Sequence, residues 1–133
     1  MNKKSKGISK EKEAHYNRAF ELKNDSKYLE SINEFKKIID KYGESSIAVG
    51  MIATLYEYEL NDSINALSYA RRSTELSPKS EMASLCLAHC LFELDLHEDM
   101  IKEIKRYINT GGKIDGYNVL FEENGLTLND FIT

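Results

Sequence analysis

Cys86, His89 and Cys90 have the spacing of a reactive constellation, since residues at i, i+3 and i+4 share one face of a helix. Two thiols and an imidazole are zinc ligands, and a metal-dependent enzyme is the chemistry they would serve. A zinc site usually takes four ligands, however, and thiols one helical turn apart are more often small buried residues. The other two histidines, His15 and His97, stand in no nucleophile or metal motif. Glu57 with Glu59, and Glu122 with Glu123, are carboxylates without a partner of catalytic geometry and read as surface groups. Gly111-Gly112 reads as a helix terminator, because no strand-to-helix context makes it a phosphate loop. The expectation is a protein that is not an enzyme, with no catalytic residue, no metal and no cofactor.

The elements that position these residues are legible from a repeat. Leu60-Asn61-Asp62-Ser63-Ile64-Asn65-Ala66 and Leu94-Asp95-Leu96-His97-Glu98-Asp99-Met100 align at a spacing of 34 (66 to 100). Ser31, which ends Asp25-Ser26-Lys27-Tyr28-Leu29-Glu30-Ser31, lies 35 positions before Ala66 (31 to 66). A period near 34 predicts helix-turn-helix units. Apolar periodicity predicts helices over 13–23 and 27–41, 46–59 and 63–76, 79–94 and 97–109. The joints Asn24-Asp25-Ser26, Asn61-Asp62 and Asp95 offer side-chain oxygens for helix starts. Residues 1–11, with four of the chain's first lysines, read as a flexible basic tail. Residues 113–133 are too few for a further unit. Tyr117, Leu120, Phe121, Leu126, Leu128, Phe131 and Ile132 there predict one or two short helices that cap the last exposed apolar face.

The residues at the junctures resemble the tetratricopeptide repeat. The first unit, 12–45, has Ala19 at the small-residue crossing, Tyr28 opening the second helix, and Ser31, Phe35 and Ile38 on its buried face. The second, 46–80, has Ala66 and Ala70 where the pattern wants small residues and ends in Glu75-Leu76-Ser77-Pro78, with the one proline of the chain where the family usually has one. The third, 81–112, carries Leu87-Ala88, Leu91, Leu94, Met100, Ile104 and Tyr107. Departures are the missing tryptophan, Gly50 and Thr54 in the second unit, and Met100 in place of an alanine. The resemblance implies an all-α fold, a helix-turn-helix solenoid of three repeats with a short C-terminal capping segment.

It also implies a concave face built mainly from the first helix of each unit: Glu13, Tyr16, Phe20, Lys23 and Asn24; Ala48, Met51, Leu55, Tyr58 and Glu59; Met82, Leu85, His89, Phe92 and Glu93. Some members of the family hold acidic chaperone tails there through lysine, arginine and asparagine. Tyr16, Phe20, Ile52, Met82 and Cys86 stand at those positions, which argues against that client. A groove of Tyr16, Phe20, Met51, Leu55, Tyr58, Met82, Leu85, His89 and Phe92 suits a hydrophobic or helical segment of a partner protein, as in a chaperone or adaptor. An open strip of this size also raises self-association as a homodimer.

Composition narrows the partner classes. The chain has 41% hydrophobic and 30% charged residues and a net charge of −4. The lysines of residues 1–12 leave an acidic body behind them. That body disfavours nucleic acid, and no aromatic interleaves the lysines. No apolar run approaches the ~18 residues of a membrane span, and the start lacks a secretory signal. With two cysteines that read as reduced thiols, the expected compartment is the cytoplasm. The acidic balance supports a second role, an immunity protein that neutralises a basic bacterial toxin through Glu57, Glu59, Glu93, Glu122 and Glu123. A composition rich in lysine, asparagine and isoleucine fits an AT-rich bacterial genome.

Overall fold

The computed structural model describes residues 3–132, with side chains from Ser9 onward. The described chain is all-α. Helix α1 spans Lys3–Asn24, α2 Tyr28–Tyr42, and α3 Ser46–Thr54 before running into a π-helical turn, Leu55–Glu59. Helix α4 spans Ser63–Leu76, α5 Glu81–Glu93, α6 His97–Asn109 and α7 Asn118–Glu123, with short 3-10 turns at Asp115–Tyr117 and Leu128–Asp130. From α1 to α6, each helix packs on the next in the chain. Among the described residues, no helix is long and apolar enough to cross a membrane.

The sequence period reappears as packing. Ala19, Ala53 and Ala88 recur at steps of 34 and 35 (19 to 53, 53 to 88), and all are buried. Small side chains there let paired helices approach, and Ser31 uses the space to donate its hydroxyl to the Ala19 carbonyl at 2.7 Å. Ser31, Ala66 and Met100 form a second buried row, and Phe35, Ala70 and Ile104 a third. Two polar joints repeat as well. Ser45 and Ser80 cap α3 and α5, each accepting a backbone N–H from the third residue on, Ala48 or Ala83, at 3.1 Å.

The turns between paired helices also match. Among the described residues, Ser26, Asn61 and Asp95 are the non-glycine residues with positive φ, at 61°, 51° and 59°. After α1 and α5 the chain closes with a six-to-one hydrogen bond, Lys27 N–H to the Leu22 carbonyl and Leu96 N–H to the Leu91 carbonyl, both 2.8 Å. The α3 turn is one residue longer. Five steps separate Tyr56 from Asn61, against four between Leu22 and Ser26 or Leu91 and Asp95. The extra residue is absorbed by the π turn, in which Leu60 N–H reaches the Leu55 carbonyl at 3.0 Å.

Three expectations are corrected. The backbone is helical from Lys3, where a flexible tail over 1–11 was expected; the lysines and Glu11 are good helix formers, and α1 extends backwards past Gly7. Glu11 pairs with Lys41, and the Lys12 ammonium lies 5.9 Å from the Tyr42 ring centre, so both hold onto α2. The part of that tail at Met1 and Asn2 lies outside the described residues. Of the joints expected to cap helices, only Asp62 does so, accepting the Asn65 N–H at 3.1 Å. Helices α2 and α6 start from Lys27 and Leu96 without a side-chain cap, because Ser26 and Asp95 are taken up in the left-handed turn. Finally, 46–59 is not one regular α-helix, for the insertion just described.

The C-terminal segment packs on α5 and α6. Tyr117, Leu120, Phe121 and Phe131 are buried. Tyr107, Tyr117, Phe121 and Phe131 form a ring ladder with centroid separations of 5.8, 5.7 and 5.3 Å. The Tyr117 hydroxyl meets Ser84 Oγ at 2.5 Å, and Ser84 Oγ donates to Glu103 at 2.6 Å.

Candidate functional site

Helices α1, α3 and α5 carry the residues expected to form one apolar strip, and the packing divides that strip into three parts. Tyr16 and Phe20 on α1 are half-buried, and each meets the Phe35 ring in an edge-to-face arrangement, with ring centroids 6.2 and 5.4 Å away. The Tyr16 hydroxyl is tied to Ser45 Oγ at 2.6 Å. Leu55, expected to line the groove, is 1% exposed and belongs to the core, because the π turn that starts there directs it inward against α4. Leu85 and Phe92 on α5 are half-buried, and the Phe92 and His97 rings meet edge to face, 5.7 Å apart.

The second part is an open apolar cleft. It lies between α3 and the N-terminal half of α5, with a volume of about 280 Å³. Ile47, Met51 and Met82 line it, together with Ser73 of α4 and Ser77 just beyond its end. Met82 is 71% exposed and Ile47 56% exposed, so two large apolar side chains face solvent at its rim. No residue of the C-terminal segment lines it.

The third part is polar. At the C-terminal ends of α3 and α5, Glu57, Tyr58, Asn61, Ser63, His89 and Glu93 line a cavity of about 230 Å³. The Tyr58 and His89 rings meet edge to face, 5.5 Å apart. Glu57, expected at the surface, is instead 6% exposed. The widened π turn places its carboxylate where Ser63 Oγ donates to both oxygens, at 2.9 and 2.8 Å, and Cys90 Sγ donates at 3.3 Å. Burial raises the Tyr58 hydroxyl pKa, with the nearby Glu57 carboxylate adding to the shift, and keeps it a neutral phenol.

The thiols do not form a reactive pair. Both are buried and free. The adjacent Cys86 thiol, then burial, then Glu57 push the Cys90 thiol far up, so it stays protonated and donates to Glu57. Among the described residues no three or more His, Cys, Asp or Glu side chains are grouped to hold a metal ion. The remaining expected acidic residues are separated. Glu59 and Glu93 are exposed near the polar cavity, whereas Glu122 and Glu123 are exposed on α7 and line neither cleft.

Two buried carboxylates escaped sequence reasoning. Glu34 pairs with Arg18 at 3.5 Å and Lys37 at 3.2 Å. Glu103 receives Arg106 through Nε at 2.7 Å and a second guanidinium nitrogen at 2.8 Å, and Arg106 also reaches the Pro78 carbonyl at 2.8 Å. The i, i+3 spacing of each acid with a cation was the available signal. No protein-family model matches this chain, and no curated protein matches it.

Proposed function

We propose that this protein is a non-catalytic binding module of three tetratricopeptide-like repeats with a C-terminal cap. It holds an apolar segment of a partner protein between α3 and α5, as a chaperone or adaptor. The repeat reading is supported by the recurrence of buried Ala19, Ala53 and Ala88 and of the left-handed turn residues Ser26, Asn61 and Asp95. One observation carries the function: the open cleft between α3 and α5, with Met51 inside it and Met82 and Ile47 exposed at its rim. Methionine repacks around different shapes, so two of them in one cleft suit segments of varied sequence. Repeat arrays present such faces to partners and leave chemistry to others.

The test uses Met82→Glu, because Met82 is exposed and the change leaves the core alone. A partner retained by wild-type protein from host extract is identified, purified and titrated directly. Binding weakened at least about tenfold in a folded Met82→Glu variant supports the cleft, in line with removal of a buried interface anchor. Equal binding by the variant sinks it. The second reading, neutralisation of a basic toxin, draws on exposed Glu59 and Glu93. It requires an association rate that falls steeply with salt, which an apolar cleft does not. Concentration-dependent sedimentation without a partner would point to self-association through the same cleft.

A further inference from the structure

We propose that the polar cavity beside the π turn of α3 is a receptor for a guanidinium group, the arginine side chain of a partner protein, with Glu57 as its counter-ion. Glu57 is the reason. It is 6% exposed, and its partners are the Ser63 hydroxyl and the Cys90 thiol, both neutral. Among the described residues no lysine, arginine or histidine nitrogen lies within 4 Å of it, whereas the buried Glu34 and Glu103 each hold a cation. A buried carboxylate is stable when paired, and this one faces a cavity of about 230 Å³ instead of a cation.

The lining selects the cation. One Ser63 proton shared between both oxygens, and one thiol proton on Oε2, leave acceptor capacity on a carboxylate that can take about four hydrogen bonds. Tyr58 is 43% exposed, and its ring and that of His89 offer faces for a flat group to stack on. Glu93 at the mouth adds a second negative charge. Guanidinium is planar, weakly hydrated and bidentate toward carboxylates, which an ammonium is not. The position within the repeat also favours a site, because single-turn π insertions in helices are rare and frequently lie at functional sites. That the cation belongs to a partner protein rests on the binding function proposed above. The cation site itself does not.

The full-length ¹⁵N-labelled protein is titrated with N-acetyl-arginine amide, with the uncharged isostere N-acetyl-citrulline amide, and with spermidine, following backbone amide shifts. The arginine derivative produces saturable shifts confined to residues 57–63 and 89–93, and citrulline produces none there. Glu57→Gln, which keeps the shape and the Ser63 hydrogen bond, weakens the arginine response at least about tenfold, as loss of a charge-assisted pair requires. If Glu57→Gln does not fold, Glu93→Gln at the surface weakens it by about two- to threefold in its place. Equal shifts from citrulline, or no saturable response below about 50 mM of the arginine derivative, overturn the site. Tighter binding of spermidine overturns the assignment to an arginine side chain and makes the ligand a free polyamine. None of these outcomes touches the Met82→Glu titration, so failure of the cavity and failure of the apolar cleft are separable.

Discussion

Gly112 has no space for a side chain: a Cβ built on it would sit 2.5 Å from the Tyr107 hydroxyl oxygen and 2.8 Å from the ring carbon that bears it. Tyr107 cannot yield, being 1% exposed and hydrogen-bonded through its hydroxyl to the Lys113 carbonyl at 2.5 Å. Gly112→Ala is therefore expected to destabilise the fold by about 1–3 kcal/mol, the usual cost of overpacking, read as a lower denaturation midpoint with unchanged slope. Gly111-Gly112 was legible in the sequence as a helix end. The demand on Gly112 in particular was not, since it comes from a tyrosine that folds back over the turn. Glu57 is the opposite case. An acid between two tyrosines reads as a surface residue until a widened helical turn carries it inside.

Helix starts decide much at the scale of elements. Asp62 accepts both the backbone N–H and the side-chain amide of Asn65, at 3.1 and 2.6 Å, and these hydrogen bonds hold its carboxyl below its ordinary value of 3.8. A carboxylate depressed in the folded state contributes stability that is fully present above its unfolded value and is lost as pH falls through the folded one. Melting temperature measured from pH 5 down to pH 2 should thus fall less steeply in Asp62→Asn than in the parent, and the two should converge at the acid end. Identical slopes would remove Asp62 from the helix cap. Helices α2, α4, α5 and α6 were legible in the sequence to within a residue or two, because apolar period and turn residues agree there, whereas α3 ends at Thr54, before the limit expected at Glu59. The π turn was not read, although its signal was present: the period is 34 on one side of the α3 turn and 35 on the other, and the surplus residue has to be housed somewhere.

The C-terminal segment bears on the stability of the whole molecule. An array of helix pairs leaves its last apolar face open, and here Tyr117, Leu120, Phe121 and Phe131 close it, with Tyr117 also reaching the buried Ser84 and Glu103 pair. Burial raises the Tyr117 hydroxyl pKa, so it remains a neutral partner for Ser84. Tyr117→Ala should cost about 3–5 kcal/mol, the range for deleting a buried aromatic. It should also increase binding of a hydrophobic dye as α5 and α6 are uncovered. A variant with parental stability would mean that the segment is not structurally coupled to the helices beneath it.

The sequence by itself determined the all-α class, the order and approximate limits of the paired helices, and the small residues at their crossings. These follow from periodicity, which is local and is repeated often enough to be read. Only the tertiary structure decided which apolar residues of the first helices stay open. Leu55 and Met82 are equally apolar, yet one is core and the other 71% exposed, because burial depends on what a neighbouring helix places opposite. The same holds for charge. Glu34, Glu57 and Glu103 are all buried acids, and only the fold assigns cations to two of them and a cavity to the third.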